Sequence, residues 1–220
     1  DYTCYFQQLE KSNLELSFKL EADRMQNLNL SKEEFDKEIK VVMEERRWRT
    51  DDKPTSQVKE QFASTVFKSH PYSRPVVGWM NDLENMTVED AREWYQNWYA
   101  PNNAILVVVG DVQANDVLNL AKKYFEKIPV RKIPERKPQV EPKQIGERRS
   151  VIKAPSELSY LLMGYQAPTL MDRLGNNESS WEPYALEMLS NILAGNSSSR
   201  LNQNIVRNQR LAVSVSAGYD

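Results

Sequence analysis

Apolar residues recur at helical spacing over several stretches of the chain and at strand-like spacing over others. Residues 12–27 predict an amphipathic helix, with Ser12 as its cap and Leu14, Leu16, Leu20 and Met25 as apolar positions. Ser31-Lys-Glu-Glu34 has the spacing of a capping box and opens a second helix, with Phe35, Ile39, Val42 and Met43 at helical intervals. That helix is expected to run to Trp48, with Pro54 beyond its end. A third is predicted over 55–68 through Val58, Phe62 and Val66. The following HPYSRPVVG (70–78), with two prolines and a glycine, reads as a loop. Thr87-Val-Glu-Asp90 is a second capping box, starting a helix that stops at Tyr99 before Pro101. Further helices are predicted over 113–127, 182–194 and 200–207.

Strand signals are interleaved with these helices. Residues 2–8 (YTCYFQQ) are rich in aromatic and β-branched types, and 102–112 (NNAILVVVGDV) read as a buried strand between turn residues. Residues 150–153 and 158–165 follow as strands, and 211–219 alternate apolar and polar positions with period two. The alternation predicts a layered α+β or α/β unit and excludes a simple bundle. Between Pro129 and Pro142, four prolines interleaved with charges allow neither a regular helix nor a central strand. That segment reads as a stiff, extended linker.

Charge and composition narrow the chemistry. With 29 Lys and Arg against 31 Asp and Glu, the formal charge is −2, and no basic excess marks a nucleic-acid binder. The longest apolar run, residues 104–109, falls far short of the ~18 residues that span a bilayer. One cysteine, Cys4, excludes an intrachain disulfide and a thiolate zinc cage. One histidine, His70, removes most self-contained metal sites. The opening residues lack a Met and read as those of an excised or processed piece.

On the second helix Glu38 and Glu45 are seven residues apart, so they fall within ~20° of each other, two turns apart, beside the apolar face. Two readings stand open. Both are boundary carboxylates of an acidic helix, or one ligates a metal while the other orients a ligand.

The string FDKEIKVVMEERR (35–47) resembles the downstream helix of insulinase/pitrilysin-type inverzincin peptidases, whose zinc motif is H-x-x-E-H. HPYSRPVVG (70–78), the D-L-x-x-M-T-x-E-D-A-R-E-W-Y string (82–95), WYAPNNAILVVVGDV (98–112), GYQAP (164–168), SNILAGNSSSRLNQNIVR (190–207) and LAVSVSAGYD (211–220) are similar to the same family. The resemblance implies an α+β fold, a mixed or antiparallel sheet packed with helices, in parts of two homologous half-domains. Residues 1–128 would be the C-terminal portion of the zinc-bearing first half, 129–149 the Pro-rich linker, and 150–220 the N-terminal portion of the second. The H-x-x-E-H segment, with its two histidine ligands and general base, would lie outside the chain, so the piece alone is expected to be inactive. By position, Glu45 corresponds to the zinc-ligating glutamate and Glu38 to its supporting residue. Arg207 matches a substrate-holding arginine, whereas Val213 stands where a tyrosine is expected. The family therefore implies zinc in the parent protein, peptide substrates, and pairing with a homologous subunit lacking zinc or with a second copy. It also implies a bacterial periplasm or envelope setting. The alternative is a non-catalytic, core-type subunit acting as a scaffold.

Overall fold

The computed structural model describes residues 2–170 and 181–219, so Asp1 and Asp220, which the family resemblance touches, lie outside the described residues. Two compact units divide the chain, up to Leu162 and from Met163 onward.

The first unit holds α1 (Leu14–Asn27), α2 (Lys32–Arg46), α3 (Pro54–Val66), α4 (Met80–Asn85), α5 (Val88–Trp98) and α6 (Ala114–Phe125). Local chemistry explains their starts. Ser31 accepts the Glu34 amide at 3.2 Å at the head of α2, and Pro54 sits in the first turn of α3, where its missing N–H costs nothing. The Thr87 box closes in both directions. Thr87 Oγ1 accepts from the Asp90 amide at 3.3 Å, and the Asp90 carboxylate accepts from the Thr87 amide at 2.7 Å. Beyond Arg46 the backbone widens into a π turn, Arg47–Asp51, before α3 begins.

Among the described residues of this unit the buried apolar ones are few: Phe18 and Ala22 on α1, Leu83 on α4, Val88 and Tyr95 on α5, and Ala100 and Ile128 outside the helices. Helix α1 packs on α6, where Phe18 meets Phe125 edge to face with ring centroids 6.3 Å apart. Helix α2 packs against α4 and α5. The Tyr95 hydroxyl ties α5 to α1, donating to the Arg24 carbonyl at 2.9 Å and accepting from the Leu28 amide at 3.3 Å.

In the second unit α7 (Glu182–Ala194) carries Pro183 in its first turn and ends at Gly195, and a π turn covers Asn202–Asn208. Asn202 fastens the intervening loop, donating through Nδ2 to the Asn196 carbonyl at 3.0 Å. The Tyr219 hydroxyl donates to the Pro168 carbonyl at 2.5 Å.

The expected α+β fold is overturned: among the described residues there is no strand and no sheet. Residues 2–8, 102–112, 150–153, 158–165 and 211–219, all expected as strands, carry no regular structure apart from a short 3-10 turn at Pro101–Asn103. The physical reason is pairing. Period-two alternation and β-branched side chains supply propensity, but a strand is held by ladder hydrogen bonds and cross-strand contacts from a neighbour. No such ladder joins these segments, and residues expected inside stand in solvent, Ile105 and Val109 each at 92% exposure.

Candidate functional site

Helix α2 places Glu38 and Glu45 two turns apart. Glu38 is exposed, while Glu45 is half-buried, its side chain 40% accessible. One Glu45 oxygen faces Arg49 Nη1 at 3.0 Å, an i,i+4 pair that reaches into the π turn. The preceding Glu44 pairs with Arg47 on the solvent side. Phe35, Ile39 and Val42, expected as the buried stripe, are only half-buried, and the one fully buried residue of the helix is Arg46.

Arg46 is the junction of this region. Its Nη1 donates to Glu60 Oε2 of α3 at 2.8 Å and to the Gly78 carbonyl at 2.9 Å, and its Nη2 donates to Glu60 Oε1 at 3.1 Å. Asp51 in the π turn approaches Nη2 at 3.4 Å, and the guanidinium carbon lies 5.7 Å from the centre of the Trp79 ring. Gly78 sits at φ +91°, a left-handed conformation that suits glycine and turns its carbonyl toward the guanidinium. The Glu60 hydrogen bonds hold the Arg46 pKa above its ordinary value, outweighing the opposing effect of burial. Nε of Arg46 is buried without a hydrogen-bond partner. One fork therefore fixes the end of α2, next to Glu45, against α3 and the Gly78 turn. Sequence periodicity missed Arg46 because an arginine is ordinarily assigned to the solvent face.

His70 lies in an aromatic cluster, its ring 5.4 Å from Phe67 and 4.5 Å from Tyr72, and its Nδ1 accepts the Tyr72 amide at 3.2 Å. Arg207 belongs to the second unit, exposed within the Asn202–Asn208 turn. Among the described residues no group of three His, Cys, Asp or Glu side chains converges to hold a metal. Zinc takes four ligands, three of them from protein in a catalytic site. What is present fits one corner of such a site, a half-buried carboxylate at the end of an anchored helix, and not the whole.

Two family models match the chain: "Insulinase (Peptidase family M16)" over residues 1–79 and "Peptidase M16 inactive domain" over residues 85–220. Zinc protease PqqE of Helicobacter pylori is 37% identical over 217 residues, which cover 96% of this chain and 47% of the relative. The crystal structure of a protease from Helicobacter pylori aligns with a TM-score of 0.76 at 33% identity, over 94% of this chain and 49% of that one. The first half of the periplasmic protease PqqL from Escherichia coli aligns with a TM-score of 0.51 at 27% identity, over 58% of this chain and 27% of that one. The chain spans about half the length of the curated relatives it matches.

Proposed function

The chain belongs to the insulinase (M16) peptidase family, and from that premise we propose that it forms part of a zinc-dependent endopeptidase that hydrolyses unfolded peptides. The observation that carries this reading is Glu45, a half-buried carboxylate beside the Arg46 anchor, within the residues matched by the insulinase model. Glu45 is assigned as the carboxylate ligand and Glu38, on the same side of α2, as its support. Two histidines and the general base come from residues outside the chain. Bound zinc supplies Lewis acidity and lowers the pKa of a coordinated water toward ~7. This chain's own part is to hold Glu45 in place, and Arg49 is the side chain that must release it.

Arg207 is assigned to substrate contact in the second half-domain, and the missing tyrosine at Val213 favours a homologous partner subunit that completes the peptide-binding surface. Substrate peptide would be held in extended form, with the main chain supplying much of the affinity. A periplasmic setting accords with the location of the Escherichia coli relative. The second reading is a non-catalytic scaffold subunit, in which Glu45 would keep its ion pair with Arg49.

Hydrolysis of an unstructured fluorogenic peptide by the full-length protein separates the two. The peptidase reading predicts activity that a chelator removes and zinc restores, and that Glu45→Gln abolishes. A folded protein with no hydrolysis, with zinc and a homologous partner supplied, sinks it.

A further inference from the structure

Glu141 lies in the Pro-rich segment, far along the chain from the residues that surround it. Three consecutive backbone amides donate to its carboxylate. Lys68 N lies 2.9 Å from both oxygens, and Ser69 N and His70 N approach Oε2 at 2.8 and 3.0 Å. Arg148 brings its Nη1 to 3.9 Å from Oε1 and donates to the carbonyls of Thr65, at 3.2 Å, and Val66, in the last turn of α3. Both side chains are largely withdrawn from water, at 15% and 17% exposure.

The start of the same segment is pinned in the same manner. Arg131 Nη1 donates to the Tyr95 and Gln96 carbonyls near the end of α5, at 3.1 and 3.0 Å. Asn102 brackets the Arg131 backbone, accepting its N–H at 3.1 Å and donating to its carbonyl at 2.9 Å. Arg136 lies over the Trp98 ring, 4.4 Å from its centre. Two arginines of one segment thus cap the carbonyl ends of two helices, where unpaired C=O groups and the negative end of the helix dipole favour a cation. Successive amides aimed at one point form an anion-binding concavity, and bonds from N–H to an ionised carboxylate are among the stronger ones.

Burial pushes the Glu141 carboxyl up, but the His70, Lys68 and Ser69 amides and the nearby Arg148 charge together outweigh it and leave it below the ordinary carboxylate range. Pro138 and Pro142 flank the glutamate and narrow the conformations the segment explores before it docks.

We propose that residues 68–70 form a carboxylate-binding nest whose resident ligand is Glu141, so that residues 129–149 are a latched strap on the first unit and not a free tether. The latch stands apart from the zinc reading, since none of its groups lies on α2. Amide hydrogen exchange on the full-length protein tests it, with tryptic cleavage after Lys143 followed in parallel. In the wild type the amides of 68–70 exchange at least tenfold more slowly than their intrinsic rates. Glu141→Ala removes that protection and speeds cleavage at least tenfold, molar acetate restores the protection, and Glu135→Ala changes neither. If Glu141→Ala fails to fold, Glu141→Gln takes its place and shows a partial loss of protection. Unprotected wild-type amides, or full protection retained in either folded Glu141 variant, overturn the proposal.

Discussion

Arg46 is a charge kept inside the protein by geometry. A guanidinium out of water is costly unless its donors are filled, and the planar fork against Glu60 fills two of them while Gly78 accepts a further bond. Surface pairs such as Lys32–Asp36 contribute about 0–1 kcal/mol, because water screens them and two flexible side chains must be held. Breaking the buried pair is different, since it strands Glu60, itself 11% exposed. Arg46→Ala is therefore predicted to lower unfolding stability by about 3–5 kcal/mol. Arg46→Lys should restore only part of this, because an ammonium cannot make the two-point contact. Chemical denaturation of the variants measures both, and a loss under about 1 kcal/mol for Arg46→Ala would place the pair among ordinary surface bridges.

Stability also depends on pH through Tyr99. Burial, then the hydrogen bond with Tyr5, pushes the Tyr99 phenol up to about 12. A group whose folded pKa is raised contributes stability that is complete below its unfolded pKa and is lost as pH rises through the folded one. The window is thus about pH 10 to 12. Ultraviolet titration should show one phenol ionising late, together with unfolding, and Tyr99→Phe should remove that late phenol.

Among the elements, the helices were legible because their signals are local. Thr87 and Asp90 are three residues apart, and their reciprocal bonds form as the box pattern implies. The predicted helix over 182–194 is α7 to the residue. Thr87→Ala should cost about 1 kcal/mol by leaving an amide of the first turn of α5 without its cap, which thermal denaturation resolves. The predicted strands were not legible in the same way. Residues 104–109 have the composition of a strand, but its existence depends on a partner that no local pattern supplies. The contacts that matter most around the site are equally non-local. Arg46 and Glu60 stand on different helices, and Glu141 reaches amides more than seventy residues away. The seven-residue spacing puts Glu38 and Glu45 on one side of a helix, but no local pattern signals the fork that anchors it.

In the molecule as a whole, this chain is proposed to supply the carboxylate side of a zinc centre. Its first unit has a small core and a helix fixed at its end, and its relatives named as zinc proteases are about twice as long. Glu45 is proposed to ligate zinc in the full-length protein. The most direct test is metal analysis of that protein, wild type beside Glu45→Gln and Arg49→Ala, each checked for its fold. About one zinc per wild-type chain is expected, with a sharp loss in Glu45→Gln and retention in Arg49→Ala, where the carboxylate loses only its competing partner. Undiminished zinc in a folded Glu45→Gln protein, or none in the wild type, would contradict the assignment.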